Sequence, residues 1–399
     1  MIEIFVTMDI RFSKNISSTA PYAFAEVDKQ VATLKAKGVK VIDFGVGDPH
    51  SPAPDFVIKA LQESAIRRAA SGYPSYVGQS EFRAGCAEYM KREFSVVLDS
   101  EKEITSTIGS KEAVFHFPLG FIDPGDVVIC PTPGYPPYKT GTRFAGGVPY
   151  FVPLLEENDF LIDLEAIPED VRKKARIIWT NYPNSPTGKI APRKWLKDLV
   201  AWARKYNIII AADEGCYIDL YFGEKPASIL EIEREGIITF YSLSKRNNMT
   251  NYRVGFCAGD ERLINGLKKV KTNIDSGTPT FIQDAAIEAL RNTAHIGTMR
   301  EEYRRKREIT FSALRTAGLA SCISDATFYI WQKAPNGMTG IEFARKFLEQ
   351  GIVVTPGEWI SDPASDTGIN PGKNYVRLAL VCSLEDVKEA ATRMSAMSL

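Results

Sequence analysis

Between residues 127 and 258 the chain alternates short apolar runs with helical stretches, a rhythm that leaves few folds open. Strand-like runs cover 127–130, 150–152, 177–180, 208–212, 237–241 and 254–258, and helical patterns such as 193–205 separate several of them. Apolar runs without polar alternation are buried on both faces, as in a largely parallel sheet covered by helices. The expected fold class is therefore α/β. Ligands of such sheets sit beyond the carboxyl ends of the strands, so the residues that follow each run are the candidates for chemistry.

The flanks extend this plan. Helix 21–37, a short strand over 41–44 and helix 54–68 precede the alternation, and a long basic helix over 299–317 follows it. Strands 328–331, 352–355 and 376–381, with helices 341–350 and 384–397, then form an α+β satellite. The expected division is an N-terminal arm and part of the small domain over 1–49, a large domain over 50–290 and a small C-terminal domain over 291–399.

Charge and composition narrow the partners. Lys+Arg and Asp+Glu both number 49, and this zero net charge argues against a nucleic-acid partner. No run approaches eighteen apolar residues and the first residues lack a signal-peptide pattern, so no membrane partner is expected. Six cysteines lack any C-x-x-C pair and read as buried free thiols of a reducing, cytoplasmic setting. The three histidines lack metal-ligand spacing, so no metal is expected.

The run 237–241 ends in Ser242-Leu243-Ser244-Lys245, and Arg253 stands eight residues after the lysine. A partly desolvated lysine favours its neutral amine, the nucleophile needed to condense with an aldehyde. Ser242, Ser244 and Arg253 could hold a phosphate beside it. A covalent anchor plus an anion clamp is what a pyridoxal phosphate site needs. The same residues also fit the S-x-x-K of serine acyl-transfer enzymes, but Lys139-Thr140-Gly141 lies upstream and no S-D-N occurs.

Other loops add to the set. Gly109-Ser110-Lys111 opens a helical run and offers an anion seat, or a simple N-cap. Tyr135, in a proline-stiffened loop, could face a planar heterocycle or merely pack. The turn from Asn181 to Gly188 carries Asn184 and Ser185, donors suited to a phenolic oxygen. Asp213, at the end of a buried strand, demands a cation, which a pyridinium nitrogen or a structural arginine would supply. Arg377 lies inside an apolar strand and demands an anion, either a substrate carboxylate or a salt-bridge partner.

In order and spacing these motifs resemble the fold type I pyridoxal-phosphate-dependent aminotransferases of class I/II, over residues 21–397. The resemblance implies a large domain with a mostly parallel sheet, a smaller α+β domain, and ping-pong transfer of an amino group from an amino acid to a 2-oxo acid. It makes Lys245 the cofactor anchor and catalytic base. Arg253, Ser110 and Ser242 become phosphate ligands, Tyr135 the stacking ring and Asp213 the partner of the ring nitrogen. Arg377 and the Gly47 backbone become the α-carboxylate site, and Tyr73 reaches the phosphate of the neighbouring subunit in a homodimer. Two places depart from the pattern. Ser185 stands where the family has asparagine, with Asn184 one earlier, and Cys216 stands where it has tyrosine, with Tyr217 one later. Either the local backbone shifts so that Asn184 or Ser185 and Tyr217 restore both contacts to the ring oxygen, or that oxygen is held differently.

The segment around Tyr22 and the Gly47-Asp48 pair resemble LL-diaminopimelate aminotransferases, in which a tyrosine at the place of Tyr22 lines the substrate pocket. The expected substrates are LL-2,6-diaminopimelate and 2-oxoglutarate. N-succinyl-diaminopimelate, aspartate and alanine aminotransferases share most of the motifs, and a pyridoxal phosphate β-lyase or a non-catalytic regulator are more distant readings. Residues 272–283 hold no arginine of the kind dicarboxylate-specific relatives use, and no DNA-binding module is evident.

Overall fold

A computed structural model describes residues 8, 10–17, 25–49, 51–320, 322 and 324–397. Among them lie twelve strands: β1 (Ile42–Asp43), β2 (Ile104–Thr107), β3 (Val127–Thr132), β4 (Val148–Pro153), β5 (Ala175–Thr180), β6 (Ile209–Gly215), β7 (Ile237–Ser242), β8 (Gly255–Gly259), β9 (Tyr329–Lys333), β10 (Ile352–Val353), β11 (Thr355–Pro356) and β12 (Tyr375–Ala379). Seven form the main sheet in the order β2-β8-β7-β6-β5-β3-β4. All its pairings are parallel except those of β8, which runs against both β7 and β2.

Alternation along each strand divides the core. Ile129, Ile178, Ile210, Tyr241 and Phe256 face helices Ser80–Phe94, Arg193–Tyr206 and Thr280–Arg291. Their neighbours Val128, Ile177, Trp179, Ala211 and Phe240 face helices Gly109–His116 and Glu261–Lys271. Both faces are apolar, so every central strand reads as one continuous hydrophobic run. A separate core gathers Ile42, Phe44, the helix Ala294–Thr316, β9, β12 and the helices Gly340–Glu349 and Leu384–Ser395. There β1 pairs with β10 in parallel, and β11, β12 and β9 form an antiparallel sheet.

Four details differ from the sequence reading. Strand β2 has the sequence ITST, and its hydroxyl residues hide it from a search for apolar runs. The strand expected over 352–355 is two, broken at Val354 between β10 and β11. Strand β6 runs on through Asp213 to Gly215. Of the cysteines, Cys86, Cys130 and Cys257 are buried, whereas Cys216, Cys322 and Cys382 are only partly so; all are free. Among the described residues no helix is long and apolar enough to cross a membrane.

Candidate active site

The carboxyl ends of β2, β5, β6 and β7 and the start of β8 open onto one cavity of about 710 Å³. Lys245 lines it from the short helix Leu243–Arg246 that caps β7. Ser242 starts this turn, its Oγ accepting from the Ser244 amide at 3.2 Å. The Lys245 ammonium donates to the Gly47 carbonyl at 2.7 Å. It lies 5.9 Å from the Phe328 ring centroid.

One end of the cavity gathers donors that could hold an anion. Arg253 precedes β8 and packs against Gly109, where a Cβ would lie 2.4 Å from Arg253 Nη2. Gly109 has φ +69°, a backbone conformation that favours glycine, and a side chain there would also push the Arg253 guanidinium aside. Ser110, Lys111, Ser242 and Ser244 line the same region. Arg253 Nη1 donates to the Thr250 carbonyl, and the rest of its fork is available for a phosphate.

Asp213 lines the same cavity and is 3% exposed. Tyr138 donates its hydroxyl to Oδ2 at 2.8 Å, and the Cys216 thiol lies 3.6 Å from Oδ1. Burial pushes the Asp213 carboxyl up to about 6, while Tyr138 and Cys216 pull it back in part. Among the described residues no cation pairs with it, so the structural-arginine reading fails. Between Ala212 and Gly215 the register of β6 against β7 shifts by one extra residue. Just beyond it Cys216 and Tyr217 both line the cavity, and the Tyr217 hydroxyl donates to that of Tyr329 at 3.3 Å.

Arg377, on β12, lines the cavity as well. Its Nη2 donates to the Gly45 carbonyl at 2.8 Å, and its guanidinium lies 4.6 Å from the Tyr329 ring centroid. Its Nε is buried without a partner, and among the described residues no carboxylate pairs with it. That leaves a cationic fork in need of an anion.

Comparison with known proteins decides what this assembly is. Residues 39–394 match the family model described as aminotransferase class I and II. The chain belongs to that family of aminotransferases. It is 45% identical to the LL-diaminopimelate aminotransferase of Aquifex aeolicus over 393 residues, 97% of this chain and 99% of that one. It is 43% identical to the LL-diaminopimelate aminotransferase of Halothermothrix orenii, covering 95% of this chain and 96% of the relative. Among solved structures it superposes on a probable N-succinyldiaminopimelate aminotransferase from Thermus thermophilus with a TM-score of 0.85, at 31% identity over 94% of this chain and 99% of that one. The aspartate aminotransferase of Thermus thermophilus with maleate gives a TM-score of 0.87, at 27% identity over 97% and 99%.

In this aminotransferase Asn184 departs from expectation. It is 1% exposed and lies outside the cavity wall, its amide spent on Asn181 O at 3.0 Å and on Thr187 N and Oγ1 at 3.1 and 2.8 Å. Ser185 does line the cavity, and its amide donates to Asn181 Oδ1 at 2.8 Å. Asn181, which the sequence reading passed over, lines the cavity and donates to the Asp213 carbonyl at 2.5 Å. It directly follows the run 177–180, the signal that should have selected it. Tyr138 and Tyr329 were also missed, since a helix residue and a strand residue carry no loop signal. Tyr135 lines the cavity at 39% exposure, with its ring edge-on to Tyr138. Tyr73 lies away from the cavity and is 91% exposed. Tyr22 falls outside the described residues.

Glu112, His116 and Asp275 lie close enough together to suggest a metal site. The buried Lys271 ammonium already sits 3.1 Å from Glu112 and 3.0 Å from Asp275, supplying the cation.

A Cβ on Gly47 would lie 1.9 Å from the Tyr329 hydroxyl. Gly47→Ala is therefore expected to displace Tyr329 and the Arg377 guanidinium stacked on it, a cost of about 1–3 kcal/mol. Steady-state kinetics should show this as a raised KM for the amino acid, and an unchanged KM refutes that close approach.

Proposed function

We propose that this aminotransferase works with pyridoxal 5′-phosphate and transfers the amino group of LL-2,6-diaminopimelate to 2-oxoglutarate. The observation that carries the cofactor reading is one cavity holding the Arg253–Gly109 anion seat, the Lys245 amine and a buried Asp213 that meets no cation among the described residues. When bound, the cofactor supplies an electron sink for the pair left at the substrate Cα. Arg253, Ser110 and Ser242 hold its phosphate and Tyr135 covers its ring. Asp213 holds a positive charge on its ring nitrogen, and Tyr217 or Ser185 bonds its ring oxygen. Lys245 would anchor it, and its amine would carry the proton from the substrate Cα as general base and acid. Arg377 binds the α-carboxylate as a two-pronged donor, with the Gly47 backbone beside it.

The substrate reading rests on the LL-diaminopimelate aminotransferases at 45% and 43% identity over nearly their whole length. The enzyme is assigned to the cytoplasm as a homodimer, in which the exposed Tyr73 of one subunit reaches the phosphate of the other. A panel of amino donors, followed by loss of cofactor absorbance and by keto-acid formation, tests the substrate. LL-2,6-diaminopimelate should react with the highest kcat/KM. A response to aspartate or alanine with none to LL-2,6-diaminopimelate sinks the substrate reading and leaves the family standing.

A further inference from the structure

Arg246 follows the lysine directly but turns the other way, into the core, where it is 4% exposed. Its Nε lies 2.7 Å from Asp219 Oδ2, and the Tyr89 hydroxyl donates to the same oxygen at 3.0 Å. Nη1 donates to the Ala289 carbonyl at 2.7 Å and to Asn247 Oδ1 at 3.0 Å. The guanidinium also lies 5.1 Å from the Tyr89 ring centroid. Asn247 in turn meets His295 Nε2 at 2.8 Å.

The topology of this pair matters more than its strength. Asp219 lies on the segment that leaves β6, two residues after Tyr217 and three after Cys216. Arg246 ends the four-residue helix that carries Lys245. A single turn of helix has no cooperative stability of its own, so its placement must come from tertiary packing. The ion pair therefore ties the turn bearing Lys245 to the segment bearing Cys216 and Tyr217, with helices Ser80–Phe94 and Thr280–Arg291 as outer supports. A buried ion pair is a poor source of net stability, yet removing one partner leaves a costly unpaired charge. That cost makes the arrangement stiff rather than strong.

We infer that Arg246, through Asp219, is a positioning residue that fixes the Lys245 amine relative to the cofactor's reacting carbon. The inference rests on the cofactor reading above. Misplacing a reacting group by about 1 Å costs up to about a hundredfold in rate. Arg246→Met is expected to slow cofactor capture by the cofactor-free chain and to lower kcat, each by about tenfold to a hundredfold, with KM within about twofold. The visible circular dichroism of the bound cofactor should weaken, because its placement is no longer fixed. Arg246→Lys, which keeps a cation opposite Asp219, should recover part of all three. Tyr89→Phe removes one hydroxyl only, and gives a folded variant with smaller changes in the same direction should Arg246→Met fail to fold.

Thermal unfolding of each variant is measured in parallel. If melting temperatures fall while capture rate, kcat and the visible dichroism keep parental values, the pair is structural only and the inference is overturned. A parental protein that stays colourless with added pyridoxal phosphate overturns the cofactor reading, and this inference with it. A coloured parental protein with unmoved variants overturns this inference alone.

Discussion

Lys245→Ala is expected to abolish steady transamination, a loss of at least about 10⁴-fold, because in the proposed mechanism covalent anchoring and proton transfer at the substrate Cα both rest on one amine. The variant should still bind pyridoxal phosphate, since Arg253, just before β8 and beside Gly109, and the buried Asp213, on β6, are held independently of Lys245. Within the chain the substitution removes the 2.7 Å hydrogen bond from the amine to the Gly47 carbonyl, too little to unfold the protein. Turnover assays, cofactor retention on gel filtration and borohydride fixation together test this. Cofactor should be retained but no longer fixed by borohydride. Parental turnover in the alanine variant removes Lys245 from the mechanism.

Asp213→Asn should follow with a loss of about 10²–10³-fold in kcat, the scale of removing one well-placed charge from a dry site. Its pH behaviour carries a sign. Burial raises the Asp213 carboxyl from 3.8 to about 6 in the cofactor-free chain. Below about 6 it is neutral and offers no charge to a protonated ring nitrogen, so cofactor affinity should fall as pH drops through that value. The asparagine variant should lack this dependence. Stability should move the opposite way. A carboxyl raised on folding contributes stability that is lost as pH rises through the folded value. The cofactor-free Asn variant should therefore melt no lower than the parent at pH 8. Binding titrations and melting curves at several pH values check both halves; a pH-independent parental affinity refutes the role given to Asp213.

Much of the architecture was legible because the central strands are buried on both faces and so consist of unbroken apolar runs. Asp213, Lys245 and Arg253 were readable because each lies at the end or flank of such a run, where a parallel sheet exposes its loops. What the pattern hid has physical causes. Strand β2 satisfies a buried position with threonine and serine, whose hydroxyls look like loop. The extra residue between Ala212 and Gly215 is invisible without a partner strand to count against, and just beyond it Cys216 and Tyr217 both line the cavity. Asn184 and Asn181 are three positions apart in one turn, and only the fold reveals that Asn184 spends its amide inside that turn. Tyr329 acts through its packing against Arg377 and Gly47, which join residues far apart in the chain.

The pairing of β1 with β10 reaches into the site. Residues Gly45 and Gly47, whose carbonyls receive Arg377 and Lys245, hang directly from β1, and among the described residues β1 pairs only with Ile352 and Val353. β1 therefore gains its partner strand only when segments far apart in the chain meet. The carbonyls that meet Arg377 and Lys245 are thus held in place by a long-range pairing and not by the turn that carries them.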